Sequence, residues 1–124
     1  MEHPILVVDD EADLVTTYER LLRRQGYRVL SARTCRGGVA VIQTEPLDLV
    51  IADLRLPDGD GLDVVRAACA FRAPPPVLVA SGLPTQLARR AALAAGAAAF
   101  LAKPFGTDAF IRLVDELLTR SHAG

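Results

Sequence analysis

Four clusters of chemically capable residues stand directly behind apolar runs in this 124-residue sequence. Asp9, Asp10 and Glu11 follow Ile5-Leu6-Val7-Val8, and Asp53 follows Leu49-Val50-Ile51-Ala52. Ser81 follows Val77-Leu78-Val79-Ala80, and Lys103-Pro104 follows the run from Ala97 to Ala102. Carboxylates held within a few ångströms of one another repel, and proteins tolerate them where a cation or a raised pKa removes the repulsion. Asp10 and Asp53 would offer hard oxygen ligands with room for water, which suits Mg2+ better than zinc. Lys103 would then be the compact positive charge that meets a phosphoryl oxygen. Thirteen of the fourteen basic residues are Arg, so the sole Lys stands at the one strand end where a point charge completes the set.

Each residue, taken alone, also has a plainer role open to it. An Asp after a strand can cap the next helix by accepting a free backbone N–H. Ser81-Gly82 can be a turn, Lys103 a solvated loop charge and Pro104 a loop terminator. Asp58 to Asp63, with two glycines between, reads as a turn and helix start rather than a metal loop, because the calcium-loop pattern is incomplete.

Whether the set converges depends on the elements that carry it. Short apolar runs bounded by turn residues read as strands buried on both faces, the pattern of a parallel sheet. Tyr27-Arg28-Val29-Leu30-Ser31 alternates and suits an edge strand. Between the runs, Leu14, Tyr18, Leu21 and Leu22 share a helical face closed by Gly26. Thr34 can cap a second helix carrying Val39 and Ile42. Leu62, Val65 and Cys69 mark a third, ended by Pro74-Pro75-Pro76, and Leu87, Ala91 and Ala95 a fourth, closed by Gly96. Phe110, Leu113, Val114 and Leu117 form the clearest amphipathic pattern, with Thr107 as its cap. Strand and helix thus alternate five times, which demands right-handed crossovers and a parallel α/β sheet with helices on both faces. In such a doubly wound sheet the chemistry lies beyond the carboxyl ends of the strands, where all four clusters sit.

Composition excludes several classes. The 51% apolar and 23% charged residues are the balance of a globular domain, and a net charge of −1 suggests neither a nucleic-acid binder nor a membrane-surface protein. Cys35 and Cys69 lack zinc-site spacing and make no disulfide framework, which fits a reducing compartment. No apolar run approaches the roughly eighteen residues of a membrane span. Met1-Glu2-His3-Pro4 has no basic region ahead of an apolar one, so the expectation is a cytoplasmic protein forming one domain over residues 1–124.

The ordered set Asp9-Asp10, Asp53, Ser81 and Lys103-Pro104 resembles the receiver domain of two-component response regulators, as do Pro57, Gly61 and the segment from Gly96 to Phe105. The match runs from about Ile5 to Leu118. The resemblance implies a flavodoxin-like, five-stranded parallel sheet of strand order 2-1-3-4-5. It implies that Asp53 accepts a phosphoryl group from the phosphohistidine of a histidine kinase or phosphotransfer protein. Mg2+ would be held by Asp10, Asp53 and the backbone carbonyl of Arg55, with Asp9 acting through water. Ser81 and Lys103 would contact the phosphoryl group, Ser81 and Phe100 would form the switch, and the Lys103-Pro104 bond would be cis. Such a domain is a signalling element, not an enzyme. Its partners would be the kinase and a second copy through helix 4, strand 5 and helix 5, with no nucleic acid or membrane.

Some positions depart from the family. Arg55 and Leu83 border the path of a hydrolytic water and predict a long-lived aspartyl phosphate, by obstruction or, for Arg55, by binding the phosphate instead, and Phe100 lacks the hydroxyl of a Tyr. Gly82 loosens the loop after the fourth strand. A haloacid-dehalogenase-type phosphatase would want a second Asp where Arg55 stands, and a longer chain for its cap. A binding module on the same fold, not switched by phosphate, is the third reading, against which the complete acceptor set argues. The chain holds no effector segment after its last helix, so either a stand-alone regulator or a piece of a longer chain is expected.

Overall fold

The first apolar run forms β1 (Ile5–Val8), and every one of its side chains is buried. It pairs in parallel with β2 (Val29–Ala32) on one side and β3 (Leu49–Ala52) on the other. Beyond β3 lie β6 (Val77–Ser81) and then β7 (Ala99–Ala102), so the sheet order is β2-β1-β3-β6-β7. Numbered within the sheet, this is the expected 2-1-3-4-5. The structure is a computed structural model and describes residues 3–82 and 85–123.

Side chains alternate across a strand, so a run buried on both faces feeds two cores at once. Leu6, Val8, Val50, Ala52, Val77 and Val79 face α2 (Cys35–Thr44), α3 (Gly61–Cys69) and α4 (Gln86–Ala95). Ile5, Val7, Leu49, Ile51, Leu78 and Ala80 face α1 (Ala12–Arg24) and α5 (Thr107–Ala123). Fully burying one such side chain stabilises the fold by about 1.5–3 kcal/mol, so neither layer can be removed cheaply.

Helix ends follow local rules. The Thr34 hydroxyl accepts from the Gly37 amide at 2.9 Å, and the Thr85 hydroxyl from Ala88 at 3.0 Å. Gly26 and Gly96 end α1 and α4 at φ 90° and 115°, a left-handed conformation that glycine adopts without strain.

Four expectations need correction. Ala97 to Ala102 is not a strand buried on both faces. β7 begins at Ala99, lies at the sheet edge, and is half-buried because only β6 flanks it. In α4 the inward face is Ala88, Ala91, Ala92 and Ala95, whereas Leu87 is 78% exposed. In α3 the buried face is Gly61, Val64, Val65 and Ala68, with Leu62 and Cys69 only half-buried. Thr107 is the first helical residue of α5, and the carbonyl of Gly106, one residue earlier, accepts from the Phe110 amide at 3.1 Å.

One element had no local signal. Arg55–Leu56 and Gly59–Asp60 form a two-residue antiparallel hairpin, β4 and β5, between β3 and α3. Among the described residues no helix is long and apolar enough to cross a membrane. Cys35 and Cys69 are both free thiols.

Candidate functional site

Register gathers the site. Val8 pairs with Ala52 and Ala52 with Val79, so the residues that follow β1 and β3 and the last residue of β6 emerge at one sheet edge. Backbone bonds continue the ladder past the strand ends. The Asp53 amide donates to Val8 at 3.0 Å, Asp9 to Ala32 at 3.1 Å and Lys103 to Ser81 at 2.8 Å. Neighbouring strands lie about 4.8 Å apart, which sets the separation of the side chains they deliver.

Oxygens of Asp9, Asp10 and Asp53 all lie within 4.8 Å of one another. Asp9 and Asp53 are buried and Asp10 is exposed. Lys103 answers their charge, its Nζ donating to Asp9 Oδ2 at 2.7 Å and Asp53 Oδ2 at 3.0 Å. Glu11 stands farther out, with Oε1 at 3.8 Å from the same nitrogen. Burial pulls the Lys103 pKa down, but the hydrogen bonds and charges of Asp9 and Asp53 outweigh it, leaving the ammonium above its usual value. The second oxygens are held by the backbone, Asp9 Oδ1 by the Glu11 amide at 3.0 Å and Asp53 Oδ1 by the Arg55 amide at 3.2 Å. Each Asp therefore has a fixed rotamer and one oxygen directed at the lysine.

The cluster opens into a cleft of about 410 Å³ lined by Asp10, Glu11, Asp53, Arg55, Pro57, Gly82 and Lys103. The carboxylates of Asp9, Asp10 and Asp53, at the mouth of an open cleft, are a donor set for a small hard cation. The backbone beneath is close-packed. A Cβ on Gly61 would fall 1.9 Å from the Asp53 carbonyl oxygen, and the Gly61 amide donates to Leu54 at 2.8 Å. Only glycine lets α3 start so near Asp53.

Ser81 is fully buried at the end of β6. Phe100, half-buried on β7, lies opposite Val79 in the ladder and packs into the core under α4. The Lys103-Pro104 bond is cis. Leu83 lies outside the described residues, while Arg55 lines the cleft where the hydrolytic path was expected.

Sequence reasoning missed Asp58. Its two oxygens accept from the Cys35 amide at 2.7 Å and the Arg36 amide at 3.0 Å, fastening the hairpin to the start of α2. Those bonds, Arg36 first, hold its carboxyl below the ordinary range. It is a helix-cap interaction made from 23 residues away, so no local pattern announces it.

The pattern of the response regulator receiver domain matches residues 5–115. The chain belongs to that family. It is 39% identical over 102 residues to the KDP operon transcriptional regulatory protein KdpE of Escherichia coli, covering 82% of this chain and 45% of that protein. KdpE of Mycobacterium tuberculosis is 34% identical over 119 residues, 96% of this chain and 52% of that protein. The receiver thus spans about half the length of these relatives. The CheY-like receiver domain protein of Methanospirillum hungatei JF-1 superposes with a TM-score of 0.91 at 26% identity, covering 98% of this chain and 97% of that one. A sensor histidine kinase receiver domain from Pseudomonas aeruginosa PAO1, solved with magnesium in its active-site cleft, gives 0.85 at 28% identity over 95% and 98%.

Proposed function

We propose that this receiver accepts a phosphoryl group on Asp53 from a phosphohistidine of a kinase or phosphotransfer partner and reports it through α4, β7 and α5. The observation that carries the reading is the Lys103 ammonium held between Asp9 at 2.7 Å and Asp53 at 3.0 Å in the floor of an open cleft. Asp53 Oδ2 attacks phosphorus, the P–N bond breaks, and its electron pair leaves with the imidazole. The protein's task is alignment and charge neutralisation rather than bond-making. Asp53 is already oriented by the Arg55 amide, and Lys103 moves its donors to the new phosphoryl oxygens.

Mg2+ fits the site because three carboxylate oxygens cluster within 4.8 Å beside an open cleft. Asp10, Asp53 and the Arg55 carbonyl would hold it, with Asp9 acting through water. Bound there, the ion would neutralise charge on the transferring group. The added phosphoryl group draws Ser81 toward it and frees space for Phe100 to turn inward, a population shift between two packings. Magnesium in the cleft of the Pseudomonas receiver supports this assignment.

Acetyl phosphate with Mg2+ should add one phosphoryl group to the protein, seen by intact mass. Asp53→Asn should take up none. Labelling of the Asn variant at the wild-type rate would overturn the assignment of the acceptor. Turnover of a small phosphate ester by the purified chain would favour phosphatase chemistry instead.

A further inference from the structure

Tyr18 sits on the inner face of α1, 1% exposed, stacked on Phe105 at 6.0 Å and tilted against Phe110 at 5.2 Å between ring centres. Among the described residues its hydroxyl is the one buried side-chain oxygen or nitrogen atom without a hydrogen-bond partner. A Phe here would fill the same space and leave no orphan. An unpaired buried hydroxyl costs the resting fold free energy that a second state, in which it is paired, would recover.

The surroundings say where. Helical side chains lean toward the helix N-terminus, and α1 begins at Ala12, directly after Asp9-Asp10-Glu11. A side chain so inclined is directed along α1 toward the end that follows the acidic cluster. After burial, the charges of Asp9, Asp53 and Glu11, in that order, hold its hydroxyl in the neutral, donating form. Its stacking partner Phe105 is two residues from Lys103, so the aromatic cluster borders the segment that carries the lysine. In the resting state Asp9 Oδ2 takes its hydrogen bond from Lys103.

We infer that Tyr18 is a positioning residue for the phosphorylated state: when Lys103 turns to the phosphoryl group, the Tyr18 hydroxyl donates to the Asp9 oxygen that the lysine leaves, directly or through one ordered water. The inference rests on Asp53 being the acceptor. It gives the orphan hydroxyl a partner and gives a buried carboxylate a donor in place of the lysine.

The test follows tyrosine ring signals by NMR in the whole chain, with Mg2+ and beryllofluoride as the phosphoryl stand-in. The chain has two tyrosines, and Tyr18→Phe and Tyr27→Phe assign them. The Tyr18 signal should shift on activation while that of Tyr27 holds. Tyr18→Phe should melt a few degrees higher than wild type at rest, yet bind beryllofluoride roughly tenfold more weakly, the size of a lost hydrogen bond to a charged group. Tyr27→Phe should bind it as wild type does. A purely structural tyrosine would change the melting point without changing beryllofluoride affinity. Unchanged or tighter affinity in Tyr18→Phe, or a wild-type amide response with an unmoved Tyr18 ring, overturns the inference alone. A wild type that shows no amide response overturns the acceptor reading and the inference with it.

Discussion

Replacing Lys103 by Met removes one ammonium and keeps most of the side-chain volume. What it leaves behind is two buried carboxylates, 2% and 8% exposed, whose shared donor stood 2.7 and 3.0 Å away. At an effective dielectric of about 20 each contact is worth roughly 5–6 kcal/mol of Coulomb energy, most of it offset by desolvation of the charges. Removing one partner of a buried pair typically costs about 3–5 kcal/mol. Because Asp10 is exposed and water reaches the cleft, the lower end applies, near 3 kcal/mol, or roughly 10 °C in Tm. The pH dependence follows from sign. Lys103 has its pKa raised above the ordinary 10.5, so its contribution is complete below that value and fades as pH rises through the higher folded value. Wild type and Lys103→Met should therefore converge in strong alkali. Added Mg2+ should narrow the gap at neutral pH. Calorimetric scans across pH with and without Mg2+ measure both. A variant as stable as wild type at neutral pH, or a gap that persists undiminished in strong alkali, would refute the claim that the lysine neutralises this cluster.

Gly61→Ala should lower stability by about 3 kcal/mol, the upper end for overpacking, since its Cβ meets backbone rather than a movable side chain; an unchanged urea midpoint would contradict the close packing. Asp58→Asn should speed hydrogen exchange at the Cys35 and Arg36 amides. Because the Asp58 pKa is lowered from 3.8, its contribution is present above that value and lost as pH falls through the lower folded one, so wild type should lose this protection in acid. Arg55→Ala should shorten the aspartyl-phosphate lifetime, read by mass decay after desalting, if its side chain screens the cleft from hydrolytic water. Tyr27, pushed up to about 12 by burial and then by its bond to Asp115, should ionise late in an ultraviolet alkaline titration. Replacing Asp115 with Asn should bring that ionisation back toward 10.0.

The site was legible because a parallel sheet converts sequence position into spatial position. Asp9 and Lys103 are 94 residues apart, yet each follows the end of a strand, and strand ends share one edge. Asp58 obeys no such rule, since its partners at the start of α2 are fixed by where a short hairpin happens to reach. The α4 face failed for a related reason. Counting hydrophobicity puts Leu87 inside, but α4 lies close against its neighbours, and the alanine face, with Ala92 fully buried, permits that approach. β7 failed because alanine is apolar without being bulky, so its run looks the same at a covered sheet centre and at an open edge. Tyr18 is the sharpest case. Helical periodicity places it in the core correctly, and that same success hides its hydroxyl, because periodicity weighs a ring and ignores one polar atom. A residue that satisfies the fold by its carbon skeleton and violates it by a single oxygen can be recognised only when hydrogen bonds are counted in three dimensions.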